Sequence, residues 1–225
     1  MNLAATIDHT NLSPATKRSQ IEAICQETET YGFASACIHP YWVAPMAKQF
    51  PNTRLCTVIN FPLGLQTTGH HEAERAVLAG AKELDIVANP AKISEANWKA
   101  LEDELNTYRQ VFSEITLKLI IESCDRSSEE IIQLTKICGE TGFDYIKTST
   151  GWGKEGATIE AITLIKTHAP KHLKIKASGG IKTAEQTLEM IKAGAHRIGT
   201  SNAIKIMEGC ETHQGVLVAR LKGRD

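Results

Sequence analysis

The sequence predicts an α/β fold, a single (β/α)8 TIM barrel spanning residues 1–225. Three observations predict it. Short β-rich runs alternate with longer amphipathic runs, and such alternation implies a parallel sheet. The repeat is about 28 residues, and eight of them suit closure into a barrel of roughly 200–250 residues. The first turn, Asp8-His9-Thr10-Asn11-Leu12, has no glycine. An open doubly wound sheet, the alternative, usually carries a glycine-rich turn after its first strand.

The strands are expected at Ala5–Asp8, Ala34–His39, Leu55–Asn60, Glu83–Ala88, Leu117–Glu122, Asp144–Thr148, Leu173–Ala177 and Arg197–Gly199. Each is followed by a segment that reads as helix. Ser13-Pro14 looks like a helix start, with Pro at the first helical position. Ser127–Glu130 and Thr183–Gln186 fit the capping-box spacing, where hydroxyl and acid or amide satisfy free N–H groups reciprocally. Ile131, Leu134, Thr135 and Cys138 share one helical face. The last helical segment, from Asn202 onward, is interrupted by Gly209 and Gly215. No Pro-, Ser- or Gly-rich linker breaks the rhythm, so no domain boundary is placed.

Composition excludes several function classes. The net charge of -1 gives no basic field for nucleic acid or an anionic membrane. No apolar run approaches the roughly 20 residues of a membrane span. Met1-Asn2-Leu3-Ala4-Ala5 lacks the basic and apolar regions of a secretory signal. The six cysteines (Cys25, Cys37, Cys56, Cys124, Cys138, Cys210) form no C-x-x-C pair and mostly sit in apolar runs. They read as reduced, packed thiols of a cytoplasmic protein.

Side chains alternate between the two faces of a strand. In Glu83-Leu84-Asp85-Ile86-Val87 the aliphatic residues suit the helix-facing side, so Asp85 faces inward. The same parity turns Lys118, Lys147 and Lys176 inward. Lys174 shares it but lies at a strand start, so it reaches solvent at the barrel bottom. Charges in a dry interior are expensive unless paired or functional. A buried ion-pair network of one acid among three bases is the bland alternative. Lys147 and Lys176 fall late in their strands, at the C-terminal mouth where barrel active sites lie.

Two neighbouring lysines have a specific use. Only a neutral amine attacks a carbonyl, and an ordinary lysine, with a pKa of about 10.4, is well under 0.1% neutral at pH 7. A second ammonium at about 4 Å, at an effective dielectric near 20, supplies roughly 4 kcal/mol against the charged form. Desolvation acts in the same direction. An inward carboxylate such as Asp85 can then move protons. Ser178-Gly179-Gly180-Ile181 and Gly199-Thr200-Ser201-Asn202 follow strands seven and eight. Loops at these two places commonly bind phosphate through backbone N–H groups and a helix N-terminus. No His, Cys and carboxylate cluster has metal-ligand spacing. His70-His71-Glu72 comes nearest and reads as surface.

Ile7-Asp8-His9-Thr10, Val58-Ile59-Asn60-Phe61-Pro62-Leu63-Gly64, Glu83 to Val87, Leu117 to Glu122, Ile146-Lys147-Thr148-Ser149-Thr150-Gly151, Ile175-Lys176-Ala177-Ser178-Gly179-Gly180-Ile181 and Arg197-Ile198-Gly199-Thr200-Ser201 together resemble the deoxyribose-phosphate aldolase family. The matches run in order along nearly the whole chain. The resemblance implies a class I aldolase, a lyase that cleaves 2-deoxy-D-ribose 5-phosphate reversibly to acetaldehyde and D-glyceraldehyde 3-phosphate. It implies a place in deoxynucleoside breakdown. By motif match Lys147 would form the Schiff base, Lys176 would be its charged neighbour and Asp85 the proton-relay acid. Gly179, Gly180, Gly199 and Ser201 would hold the phosphate. Thr10, Cys37, Lys118 and Thr150 would line the pocket. The imine nitrogen would be the electron sink, so the expectation is no cofactor and no metal.

The sequence departs from the family's pattern in places. Asn202 stands where a second serine is common, His39 where Asn is common, and Trp152 where other side chains are usual. Ala88-Asn89-Pro90 is unusual after its strand. Some members end in a tyrosine; this sequence ends Gly223-Arg224-Asp225, so such a tail contact is expected to be absent. Three rivals stay open: a lysine aldolase with another phosphorylated acceptor, a sugar-phosphate-binding barrel without catalysis, and a metal-dependent barrel enzyme. Barrels of this size often pair, which leaves a homodimer open.

Overall fold

A computed structural model describes residues 2–210. Among them eight parallel strands close into one barrel in the order β1-β2-β3-β4-β5-β6-β7-β8, with helices around it. The strands are β1 (Ile7–Asn11), β2 (Ser35–Ile38), β3 (Leu55–Ile59), β4 (Glu83–Val87), β5 (Thr116–Ile120), β6 (Tyr145–Lys147), β7 (Lys174–Ser178) and β8 (Arg197–Thr200). The helices are α1 (Arg18–Tyr31), α2 (Pro40–Gln49), α3 (Gly69–Leu78), α4 (Pro90–Ser94), α5 (Trp98–Val111), α6 (Ser128–Glu140), α7 (Ile159–His168) and α8 (Ala184–Ala193). After β8 the chain is helical over residues 203–210. Gly215 and the end of the chain lie outside the described residues.

The barrel is therefore the fold, and the open sheet is excluded by the pairing of β1 with β8. Ile7, Asp8 and His9 lie beside Ile198, Gly199 and Thr200. The core is the shell between strands and helices, where Leu84, Ile86, Leu117, Leu119, Ile146 and Ile175 meet Leu101, Leu105, Leu134 and Ile162. Both expected capping boxes form, at Ser127 with Glu130 and at Thr183 with Gln186. Ile131, Leu134, Thr135 and Cys138 are buried on one face of α6.

Two expectations need correction at the N-terminus. The first strand starts at Ile7 rather than Ala5, because Ala4–Thr6 forms a 3-10 turn. The Thr6 hydroxyl donates to the Leu3 carbonyl at 2.7 Å, a local bond that competes with strand pairing. Ser13-Pro14 does not start a helix. Asn11 Oδ1 accepts from the Ser13 N–H and the Thr16 hydroxyl, which ties Ser13–Thr16 into a turn. Helix α1 begins instead at Arg18, where Gln20 reaches back to the Lys17 N–H at 2.9 Å.

The connection from β4 to β5 carries two helices. Asn89 caps the first, accepting from the N–H groups of Ala91 and Lys92, with Pro90 at its first position. Ala88-Asn89-Pro90 is thus a helix start. No helix of the described residues is long and apolar enough to cross a membrane.

Candidate active site

Parity along the strands places Asp85, Lys118, Lys147 and Lys176 in the barrel interior, and all four are buried. The same alternation turns Asp8, Glu83 and Arg197 inward, which sequence reading missed. Asp8 ends the expected first strand and Glu83 begins the expected fourth, and at a strand end alternation gives its weakest signal. The interior is therefore not one acid among three bases. Asp8, Glu83 and Asp85 face Lys118, Lys147, Lys176 and Arg197.

Asp85 sits at the centre. Its Oδ2 accepts from Lys147 Nζ at 2.8 Å and Lys176 Nζ at 2.6 Å. Its Oδ1 accepts from Lys118 Nζ at 2.8 Å. Burial by itself pushes the Asp85 carboxyl up, but Lys118, Lys147 and Lys176 overcome it and hold it well below the usual carboxylate range. Asp8 Oδ2 forms an ion pair with Lys176 Nζ at 2.6 Å, and its Oδ1 accepts from Arg197 and from the Ser35 hydroxyl. Burial opposes the charge of Lys176, yet Asp8 and Asp85 prevail and raise its pKa above the ordinary lysine range.

The lysines differ in how firmly they are held. Lys118 has three carboxylate partners, Asp8, Glu83 and Asp85. Among the described residues Lys176 has two, Asp8 and Asp85, while Lys147 has Asp85 alone. Lys147 is the last residue of β6, lies beside Lys176 in register, and opens onto a cavity.

That cavity, about 550 Å³, lies at the C-terminal mouth. Its wall includes Lys147, Thr10, Thr150, Gly179, Gly180, Gly199 and Ser201. Gly179 and Gly180 have positive φ, at 86° and 76°, which turns the chain sharply after β7. Gly199 is required for a different reason. A Cβ there would lie 2.4 Å from Ser178 Oγ and 3.0 Å from Lys176 Cε. The Thr200 hydroxyl donates to the Ile181 carbonyl at 2.7 Å and ties the two loops together.

Asp85 and Lys176 lie beneath this floor. Cys37 and Lys118 are fully buried and do not line the cavity. Cys37 packs in a small interior cluster with Leu12, Cys56 and Val58. Asn11, Ser178, Lys182, Trp152 and Asn202 also line the cavity. Trp152 is half exposed and packs edge-on to Phe61. The His39 Nε2–H donates to the Leu12 carbonyl at 2.8 Å, so His39 holds a loop in place.

The fold brings together thiols and a carboxylate that chain spacing keeps apart. Cys37, Cys56 and Asp85 offer ligand atoms within 4.8 Å of one another. The Lys118 ammonium already serves as the cation there, 3.3 Å from Cys56 Sγ and 2.8 Å from Asp85 Oδ1. His70 instead stacks on Tyr108, His71 faces Glu74, and Glu72 accepts the Asn60 N–H.

A closed eight-stranded barrel with an open cavity at its C-terminal mouth is the architecture of a barrel enzyme. The chain belongs to the DeoC/LacD aldolase family, whose model matches residues 3–221, and it is an aldolase. It is 42% identical over 212 residues to the deoxyribose-phosphate aldolase of Dictyoglomus turgidum, covering 92% of this chain and 96% of that one. The corresponding enzyme of Thermococcus gammatolerans is 38% identical, covering 93% and 96%. Among solved structures, the aldolase QR15 superposes with a TM-score of 0.90 at 37% identity, over 96% of this chain and 98% of that one. The tetrameric deoxyribose phosphate aldolase of Aeropyrum pernix gives 0.86 at 29% identity, over 93% and 91%.

Proposed function

We propose that this aldolase cleaves 2-deoxy-D-ribose 5-phosphate to acetaldehyde and D-glyceraldehyde 3-phosphate through a Schiff base on Lys147. The observation that carries this is the sharing of Asp85 Oδ2 by Lys147 and Lys176 directly beneath the cavity. Lys176 has two carboxylates and keeps its proton, so it stays a fixed positive charge beside Lys147. Among the described residues Lys147 has the fewest carboxylate anchors of the three lysines and it faces the cavity, so it is the amine free to attack.

The amine adds to the substrate's C1 aldehyde and loses water to give an iminium. Loss of the C3 hydroxyl proton breaks the C2–C3 bond, and the electron pair moves to the iminium nitrogen as an enamine. Asp85 carries protons to and from the reacting atoms, directly or through water. Protonation of the enamine at C2 and hydrolysis release acetaldehyde. The chemistry takes no metal or cofactor. Gly179, Gly180, Gly199 and Ser201 hold the phosphate through N–H groups and a hydroxyl at the cavity wall, with Thr10 and Thr150 on the sugar.

The wider setting belongs to the same proposal. Breakdown of deoxynucleosides supplies such a substrate. Free thiols at all six cysteines suit the reducing cytoplasm. A homodimer would be seen by light scattering.

The test is trapping. The protein is incubated with acetaldehyde, reduced with borohydride, and mapped by peptide mass spectrometry. A two-carbon addition at Lys147, absent in Lys147→Ala, is expected. An adduct confined to other lysines, or none above surface labelling, would sink the Schiff-base assignment.

A further inference from the structure

The loop that leaves β6 forms one side of the cavity, and a residue outside the cavity holds it. Glu122 follows β5 with φ 49° and ψ 65°, a left-handed conformation that disfavours any residue but glycine. Its neighbours explain how it is held there. The Ile121 N–H donates to the Lys147 carbonyl at 3.0 Å, and the Ser123 N–H donates to the Thr148 carbonyl at 2.8 Å. The chain between them must bulge, and the bulge aims the Glu122 carboxylate over the end of β6.

There the carboxylate receives Thr150. The Thr150 N–H donates to both oxygens, at 3.3 and 3.2 Å, and the Thr150 hydroxyl donates to Oε2. The same hydroxyl accepts from the Trp152 N–H at 3.0 Å. Gly153 closes on the carboxylate so tightly that a Cβ would lie 3.0 Å from Glu122 Cδ. Beyond Gly153 the loop lies against the glycine turn after β7. The Ala157 N–H donates to the carbonyls of Ser178 and Gly179, and a Cβ on Gly156 would lie 2.1 Å from the Gly179 oxygen. Strained backbone kept in place by its surroundings is a pointer to function.

We propose that Glu122 is a positioning residue that clamps the β6 loop against the Gly179-Gly180 turn and thereby sets affinity for the phosphorylated end of the substrate. It acts through Thr150 and takes no part at the Lys147 amine. The proposal rests on the phosphate placement given under Proposed function.

Two variants separate the clamp from the fold. Glu122→Gly removes the carboxylate and suits the left-handed backbone, so the barrel keeps its stability. Glu122→Gln keeps an amide oxygen for the Thr150 N–H. In Glu122→Gly, KM for 2-deoxy-D-ribose 5-phosphate should rise about tenfold with kcat within about twofold. KM for unphosphorylated 2-deoxy-D-ribose should stay within about twofold, as should the rate of borohydride trapping of acetaldehyde at Lys147. Glu122→Gln should recover most of the lost affinity. Binding of inorganic phosphate, followed by calorimetry, should weaken with the sugar phosphate, and amide exchange across residues 148–153 should quicken.

Unchanged exchange and unchanged phosphate binding in Glu122→Gly would overturn the clamp. So would an equal rise in KM for both sugars, or a fall in trapping rate. Absence of trapping in the unsubstituted protein would instead count against the Schiff-base reading, and exchange and phosphate binding would still decide the clamp.

Discussion

Asp85 gives each carboxylate oxygen a separate task. Oδ1 faces Lys118 below, and Oδ2 faces Lys147 and Lys176 above. Removing its charge should be costly, because three buried ammonium groups lose their shared acceptor. Asp85→Asn should lower unfolding free energy by about 3–5 kcal/mol, measured in urea, the range for breaking a buried ion pair. Its turnover should fall by at least about a hundredfold, since proton transfer by a positioned group is commonly worth that much. Much of this was legible from the chain. Alternation between Leu84 and Ile86, and on either side of Ile146, turns Asp85 and Lys147 inward whatever the register of the neighbouring strands. The register itself was not legible. It decides that Lys118 is spent on Glu83 and Asp85 under the floor, and that Cys37 faces Cys56 rather than the cavity.

At the scale of elements, a helix start is legible in the chain where a side chain names its own partner. Ser127 and Glu130 meet as their spacing requires, with the Glu130 N–H on Ser127 Oγ at 3.2 Å and the Ser127 N–H on Glu130 Oε2 at 2.7 Å. Ser127→Ala should cost about 1 kcal/mol by thermal or urea unfolding and leave KM unchanged, since the cap faces away from the cavity. Ser13-Pro14 misled because Asn11, on the strand before it, competes for the same groups. Local patterns name a cap but not its rivals. The loops at the mouth depend on contacts that no spacing reveals. Gly156 looks like any loop glycine, yet it touches the Gly179 carbonyl. In Gly156→Ala the added methyl should push the turn after β7 away from its place. The expected outcome is a loss of about 1–3 kcal/mol of stability, typical of overpacking, together with a raised KM for the phosphorylated sugar in steady-state assays.

At the scale of the molecule, the interior charges set how the protein meets acid. Asp8 and Asp85 both titrate below the ordinary carboxylate range, because facing ammonium and guanidinium groups outweigh burial. A depressed carboxyl stabilises the fold above its unfolded value of about 3.9, and that stability is lost as pH falls through the lower folded value. His9 adds an earlier step. Burial lowers its pKa against the pull of Glu27, so below about pH 6.5 the unfolded chain binds the proton more readily. Urea midpoints should therefore slip first below about pH 6.5 and fall steeply below about pH 4. Burial lowers His70 and His196 in the same direction, so His9→Asn should shrink the first step and leave the second; an unchanged first step would refute the part assigned to His9. The closing seam of the barrel has a bearing on biosynthesis too. Arg197 and Asp8 are 189 residues apart in the chain, and Lys176 must also find Asp8 across the ring. A ribosome delivers Asp8 near the start of its work and these two cations near the end. Until then the first strand has one neighbour, and Asp8 lacks two of its three salt-bridge partners, Lys176 and Arg197. The lysine proposed to do the chemistry is already made at that stage, but its charged neighbour is not yet locked in place. Nascent chains should thus stay inert toward aldehydes until β8 emerges, when seam and reactive centre are completed in one event.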